Sequence, residues 1–253
     1  MLNNKVIKAG SWYTLTNFFV TGISFLTLPI FTRILSTSDY GITSVYSSYV
    51  SIFSIVFSLD LVGAVQRAKF DFKDDYDRFI SSTLFLALLS FTIFSGVMVV
   101  FNGYFSEVLG LEKWLLYFAL IHSFFSFVQN FVFAKFGVEY NYRKISMVQI
   151  SNSIIGVFLS IVLILFVFNN KRYFGRILGS ALPIIVSGFI LLAYILIRGR
   201  ELVNKTYWKY ALAISVPLIF HGLAGIINAQ FDRIFINKYI GSSQAGVYSF
   251  AYN

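Results

Sequence analysis

The sequence lacks cysteine altogether and has only three prolines and few charged residues. Without a cysteine, the chain has neither disulfides nor thiol chemistry. Charged residues make up 12% of the chain and hydrophobic residues 57%. A soluble domain carries about 25% charge. A surface this poor in charge could not be solvated, so the composition excludes a soluble globular fold.

Long uncharged apolar blocks dominate the chain. Each is at least about 20 residues long, which is the length that a helix needs to cross the hydrocarbon core of a bilayer. The blocks are 9–32, 40–59, 79–106, 114–134, 145–170, 177–197 and 210–231. The sequence therefore predicts an all-α polytopic membrane protein with about seven spans. The first block is too long for the apolar region of a cleavable signal peptide, so we expect it to stay as a span.

Basic residues are distributed unevenly between the two sides of these spans. Thirteen of the 20 Lys and Arg residues lie in segments on the side of the N-terminus. Because an excess of Lys and Arg marks the cytoplasmic side, we expect a cytoplasmic N-terminus. The outer cluster of Lys171, Arg172 and Arg176 departs from this rule. The net charge of +9 is spread over short loops, which favours lipid headgroups and anionic substrates over nucleic acid as partners.

Two stretches that lie 205 positions apart resemble each other, residues 31–45 and 236–250. Both follow a long apolar span. Aligned, they share two serines and a glycine: Ser38, Gly41 and Ser44 match Ser243, Gly246 and Ser249. Six crossings separate spans one and seven, so both copies would lie on the outer side, as in the parallel repeats of two-lobed transporters. We expect a six-span lobe over residues 1–205 and the beginning of a second over 206–253; chance similarity is the alternative.

The loops are too short to hold a catalytic domain. The longest connections, 67–78, 102–113 and 198–209, have 12 residues each. The sequence has no Walker loop, zinc-ligand pair or Gly-x-Ser-x-Gly elbow. We therefore expect no catalytic residue, no metal site, no cofactor and no ATP binding. The acidic run from Asp71 to Asp77 is interleaved with basic residues and is interpreted as a solvated loop.

Polar residues within the spans are functional candidates, because ionisable groups are costly in a membrane. Asp60 follows 20 uncharged residues and is a candidate for ion coupling; a place near the cytoplasmic interface is the alternative. His122, Gln129 and Asn130 fall on roughly one helical face. They would line a wet cavity or form interhelical hydrogen bonds. The prolines, all within spans, are candidate hinges or static bends: Pro29, Pro183 and Pro217.

Residues 28–41 resemble the polysaccharide-exporting branch of the multidrug/oligosaccharidyl-lipid/polysaccharide superfamily, which includes the Wzx-type flippases. In that branch the first span typically ends in a proline, followed by a basic residue, a polar turn and Tyr-Gly. Pro29, Arg33 and the pair at 40–41 fit this pattern. Residues 232–249 resemble the family's opening of a second lobe, and the loop at 139–143 is similar in kind.

The resemblance implies a MATE-like fold of two six-helix lobes around a central cavity, and a flippase rather than an enzyme. It implies a place in the bacterial cytoplasmic membrane. The substrate would be an undecaprenyl-pyrophosphate-linked oligosaccharide of O-antigen, capsule or exopolysaccharide synthesis, moved by alternating access. Membrane lipids and polysaccharide assembly machinery are further expected partners. Candidate counter-charges for the pyrophosphate are Arg33, Arg67, Lys135 and Arg143; interfacial snorkelling is the alternative for each.

The length of the chain departs from this family. Members normally have two complete lobes, whereas this sequence holds one lobe, span seven and the first residues of an eighth. We expect a fragment or a truncated reading frame, with self-association as the alternative. Three other functions compete with the flippase. They are a drug or cation antiporter of the same superfamily, an inert truncated product, and a membrane-embedded enzyme such as an O-antigen polymerase or acyltransferase.

Overall fold

A computed structural model describes residues 2–252, with side chains from Val6 onward. Over this range the chain forms ten α-helices and no strand, which confirms the all-α membrane class. The helices are α1 (Leu2–Ile34), α2 (Thr37–Phe57), α3 (Val62–Asp71), α4 (Tyr76–Val100), α5 (Asn102–Leu109), α6 (Lys113–Val138), α7 (Tyr142–Val162), α8 (Arg172–Gly199), α9 (Lys205–Tyr239) and α10 (Ser242–Tyr252). A π-helical turn, Leu163–Val167, continues α7.

Seven of the described helices are long and apolar enough to cross a membrane, as the apolar blocks predict. They are α1, α2, α4, α6, α7, α8 and α9. The third block is interrupted, because α4 ends at Val100 and the short α5 begins at Asn102. Gly110 ends α5 in the left-handed conformation, with φ 63°. Glycine reaches this conformation without the clash that a Cβ causes, so the chain can turn sharply toward α6.

The helices are divided between two compact units, each assembled from separate stretches of the chain. Unit one consists of Met1–Val45, Phe136–Ser187 and Arg233–Asn253, and unit two of Tyr46–Lys135 and Gly188–Asp232. This division cuts across four helices, α2, α6, α8 and α9. The two units interleave along the chain, whereas the lobes predicted from the sequence follow one another with a boundary near residue 205. The division into lobes stays a prediction.

Unit one is organised around α1, which packs along α7. Phe31 and Leu35 form an apolar cluster with Ile164 at one end of this pair. The buried hydroxyls of Thr16 and Ser146 lie 2.6 Å apart further along it. Small polar residues therefore sit where the two helices touch, as is common between membrane helices.

Unit two is packed largely with aromatic rings. The ring of Phe57 lies 5.5 Å from those of Phe91 and Phe94. A second group places the ring of Phe72 within 5.2 Å of Phe79 and within 5.1 Å of Tyr207. Aromatic pairs at these distances bury large apolar surfaces and add about 1 kcal/mol each beyond that burial. Rings on α2, α4 and α9 thus account for much of this core.

Candidate functional site

The two repeated stretches lie against each other in unit one, where α2 and α10 begin. The hydroxyl oxygens of Ser38 and Ser242 are 2.6 Å apart, and those of Thr37 and Ser243 are also 2.6 Å apart. In the repeat alignment Thr37 corresponds to Ser242 and Ser38 to Ser243. Thr37 thus contacts the residue that corresponds to Ser38, and Ser38 contacts the residue that corresponds to Thr37. Such reciprocity is typical of a contact about a two-fold axis.

The aligned glycines of the repeat allow this close approach. A Cβ at Gly41 would overlap the carbonyl oxygen of Ser242, and a Cβ at Gly246 would overlap the carbonyl oxygen of Thr37. These two clashes are again counterparts of each other. Both glycines are buried, and each is required by the backbone of the other copy. The reciprocal geometry supports a true internal repeat over chance similarity.

Asp39 determines where α2 begins. Its Oδ2 accepts hydrogen bonds from the Ser36 N–H at 3.0 Å and from the Ser36 hydroxyl at 2.6 Å. The Asp39 N–H donates back to Ser36 Oγ at 3.1 Å, so the two residues form a capping box. Its Oδ1 accepts the Tyr173 N–H at 3.2 Å, at the beginning of α8. One carboxylate therefore positions the starts of two helices in unit one.

The contact between α2 and α10 contains hydroxyls and glycines, with no charged group in either hydrogen-bonded pair. The Thr37–Ser243 pair is exposed and the Ser38–Ser242 pair is partly buried. A hydroxyl that loses its partner at an exposed surface bonds to water instead, so each such hydrogen bond is worth only about 1 kcal/mol. This end of the two helices can therefore separate without leaving a buried unpaired charge.

Asp60 lies in the turn between α2 and α3, within unit two. Leu59 and Asp60 have φ values of 56° and 46°, a left-handed conformation that costs a non-glycine residue roughly 1–2 kcal/mol. Gly222 of α9 faces this turn, because a Cβ there would lie 3.5 Å from Asp60 Oδ2. Burial raises the pKa of Asp60, an effect that His221 partly offsets. The strained turn thus holds a carboxyl group that keeps its proton more readily than an exposed one; its role in ion coupling stays a prediction.

The polar residues of α6 differ in exposure. His122 and Gln129 are buried, whereas Asn130 is exposed. His122 Nδ1 lies 3.2 Å from the hydroxyl of Tyr46 on α2, and the two rings stack with centroids 5.9 Å apart. His122 is therefore engaged in an interhelical hydrogen bond. A cavity-lining role for the three residues stays a prediction.

The four cationic candidates occupy different environments. Arg33 and Arg143 belong to unit one and are exposed near helix ends. Arg67 and Lys135 belong to unit two. Arg67 is exposed and lies 3.6 Å from the carboxylate of Asp71. Lys135 is buried, so of the four only its charge is fully withdrawn from solvent.

Lys135 belongs to an ion-pair cluster centred on Asp77, which the solvated-loop interpretation did not anticipate. Lys135 Nζ lies 2.9 Å from Asp77 Oδ1, and Arg198 Nε lies 2.7 Å from Asp77 Oδ2. Arg198 also donates to the Tyr194 hydroxyl at 2.8 Å. One carboxylate thus connects α4, α6 and α8. The sequence did carry a signal, because Asp77 lies only two residues before an apolar block, closer than the rest of the acidic run.

The three prolines lie inside continuous helices. Pro29 is in α1, Pro183 in α8 and Pro217 in α9. The helices that contain Pro183 and Pro217 continue for several turns beyond the proline, whereas α1 ends within two turns of Pro29. The hydroxyl of Ser187 donates to the carbonyl of Pro183 at 2.6 Å. A hydroxyl contact of this kind supports the helix around a proline. Hinge motion at these positions stays a prediction.

Known proteins resemble this chain along nearly its whole length. The model of a family described as polysaccharide biosynthesis protein matches residues 6–253. Lsg locus putative protein 1 of Haemophilus influenzae is 25% identical over 255 residues, an alignment that covers 97% of this chain and 60% of that protein. An uncharacterized membrane protein of the same organism is 26% identical over 256 residues, covering 97% and 59%. The chain thus spans about three fifths of the length of these curated relatives. No solved structure matches it significantly.

Proposed function

The chain belongs to the polysaccharide biosynthesis protein family, whose members are transporters, and we propose that it moves a lipid-linked oligosaccharide across the bacterial cytoplasmic membrane. The proposed substrate is an undecaprenyl-pyrophosphate-linked repeat unit of O-antigen, capsule or exopolysaccharide, carried from the cytoplasmic to the outer leaflet. The family match over residues 6–253 is the observation that carries this proposal. Seven helices of spanning length support it.

We propose alternating access as the mechanism, with the contact between α2 and α10 as a closed outer contact. The sugar and the pyrophosphate need a polar path, while the lipid tail stays in the bilayer. Closing one end of such a path requires a contact that forms tightly and separates into water. The hydroxyl pairs Thr37–Ser243 and Ser38–Ser242 meet that requirement, because each hydroxyl can be rehydrated. With a cytoplasmic N-terminus, both helices begin on the outer side.

Asp60 is the proposed ion-coupling residue in this scheme. Its carboxyl group is half-buried beside His221, and its raised pKa favours proton uptake. Proton binding and release there would change the charge next to Gly222 in α9. The same residue is the observation that favours a cation antiporter of the same superfamily as the second candidate function.

Complementation separates these functions. The 253-residue chain is expressed in a strain that lacks its polysaccharide flippase, beside a form extended by the part of a longer relative that lies beyond the alignment. We expect surface polysaccharide to be restored by at least one of the two forms. Drug efflux without surface polysaccharide would favour the antiporter. Failure of both forms to change either property would refute the transport proposal.

A disulfide across the outer contact tests the mechanism. The chain has no cysteine, so Ser38→Cys with Ser242→Cys introduces a single pair, at side chains whose oxygens are 2.6 Å apart. We expect rapid cross-linking under mild oxidation, because the side-chain spacing suits a disulfide. We also expect a loss of transport of tenfold or more that a reductant reverses. The two single-cysteine variants are the controls, and a cross-linked double variant that still transports would exclude opening at this contact.

A further inference from the structure

Arg176 is a basic residue one turn inside α8 with an unusual environment for a cation in a spanning helix. It belongs to the outer cluster that departs from the expected charge distribution. Among the described residues, no carboxylate lies within ion-pair distance of it, in contrast to Lys135 and Arg198, which share Asp77. Uncompensated charge inside a membrane span is costly, and such residues usually mark a functional site.

The guanidinium group of Arg176 is held in place by neutral groups. Its Cζ lies 4.0 Å from the ring centre of Phe31 on α1. Its Nη1 donates to Ser160 Oγ on α7 at 3.2 Å, and the Ser160 hydroxyl donates a hydrogen bond to the carbonyl of Gly156 at 2.6 Å. Ser160 is thereby oriented as an acceptor. The Phe31 ring covers one face of the guanidinium group, and Ser160 Oγ accepts from one of its five N–H donors. Together these two contacts hold the guanidinium group in place.

In the part of the chain that the structure describes, no carboxylate pairs with Arg176 as a counter-charge. Asp39 is engaged elsewhere, because its two oxygens accept from Ser36 and from the Tyr173 N–H. Arg172, one turn earlier on α8, adds a second positive charge and donates to the carbonyl of Ile34 at 2.9 Å. The side chains at this end of α8 therefore carry excess positive charge. An anion from outside the chain would balance it.

We propose that Arg176 binds a phosphate group, namely the pyrophosphate of the lipid-linked substrate; this inference rests on the proposed function. A planar guanidinium with free N–H edges matches a phosphate by two parallel hydrogen bonds, which a lysine cannot reproduce. Stacking on Phe31 holds the plane, so little side-chain entropy is lost on binding. Under the predicted topology this site lies toward the outer side, where the substrate arrives.

Binding to the purified full chain in detergent tests this inference, with undecaprenyl pyrophosphate as the probe and native mass spectrometry as the readout. We expect Arg176→Gln to weaken binding at least tenfold and Arg176→Lys to weaken it severalfold, since lysine keeps the charge but loses the paired geometry. Lys113→Gln removes one exposed charge elsewhere and is expected to change affinity less than twofold. Circular dichroism and gel filtration verify folding. Should Arg176→Gln fail to fold, wild-type affinity in Arg176→Lys would overturn the proposal.

Competing ligands identify the source of the phosphate. Inorganic pyrophosphate is expected to compete in the wild type, while phosphatidylglycerol is not. Equal competition by phosphatidylglycerol would assign the site to bulk lipid headgroups and overturn the substrate assignment. Wild-type binding by Arg176→Gln would overturn the site itself. Arg176→Gln that restores surface polysaccharide at the wild-type level refutes this inference and leaves the proposed function standing. If binding depends on Arg176 but the chain does not transport, the inference about Arg176 stands and the proposed function is refuted.

Discussion

The two units of this protein hold their helices together by opposite means. In unit one, α2 and α10 meet through glycines and uncharged hydroxyls, so that backbone approaches backbone. In unit two, rings fill the space between helices and the carboxylate of Asp77 joins three of them. A glycine contact depends on shape and is lost on adding one methyl group. An ion pair depends on charge and is lost when one of its two charged groups is removed.

The difference bears on which contact can open during transport. Separating hydroxyls exchanges their hydrogen bonds for bonds to water at little net cost. Separating Lys135 from Asp77 would take a carboxylate away from a buried ammonium group, which is expensive in a low-dielectric interior. The α2–α10 contact is therefore suited to open and close, whereas the Asp77 cluster is suited to stay intact. Changes to each should have different consequences.

The largest effect is expected from breaking the ion pair. Lys135→Met should lower the free energy of unfolding by about 3 kcal/mol, near the low end for a buried pair, because Asp77 keeps Arg198 as a partner. Thermal unfolding in detergent, followed by circular dichroism, measures this loss. The double variant Asp77→Asn with Lys135→Met should regain part of it. An unchanged melting temperature in Lys135→Met would show that charge does not hold this unit together.

A smaller loss is expected from adding a methyl group to the repeat contact. Gly41→Ala and Gly246→Ala should each destabilise the chain by about 2 kcal/mol, because each Cβ overlaps the other copy's backbone. The double variant should cost less than the sum, since one displacement of the helices relieves both clashes. Gly22→Ala, also in unit one, meets nothing within 4 Å. It should be neutral or stabilising by less than about 1 kcal/mol, and equal losses in all three single variants would contradict the contact.

The smallest effect is expected at Asp60, where pH is the variable. Because the pKa of Asp60 is raised in the folded chain, the folded chain binds more protons than the unfolded chain at pH values between the unfolded and the folded pKa. Stability therefore falls as pH rises from the unfolded to the folded pKa, and the loss persists at neutral pH. Asp60→Asn should remove this loss and stabilise the chain at pH 7 by less than about 1 kcal/mol. Melting curves from pH 4 to 8 check the sign, with the exposed Asp74→Asn as control; a destabilised Asp60→Asn would contradict it.

The sequence predicted the spans well and the polar contacts unevenly. Runs of apolar residues were enough to find all seven long helices, because crossing a bilayer imposes length and composition on each helix separately. Residues 31–45 and 236–250 are similar in sequence, which is visible without any knowledge of their contact. The role of Asp77 was missed, because its partners Lys135 and Arg198 lie 58 and 121 positions away. Charge alternation within a loop is visible in sequence, whereas pairing between distant helices is not.

By itself the sequence determined the membrane class, the seven spans and the existence of two similar stretches, since these follow from local composition and from comparing the chain with itself. Only the tertiary structure decided that the two copies meet reciprocally, with Gly41 against Ser242 and Gly246 against Thr37. It also decided that Lys135 is paired while Arg176 rests on a ring and a hydroxyl. The physical reason is that a cation's partners depend on helix packing across the fold, which local sequence does not encode.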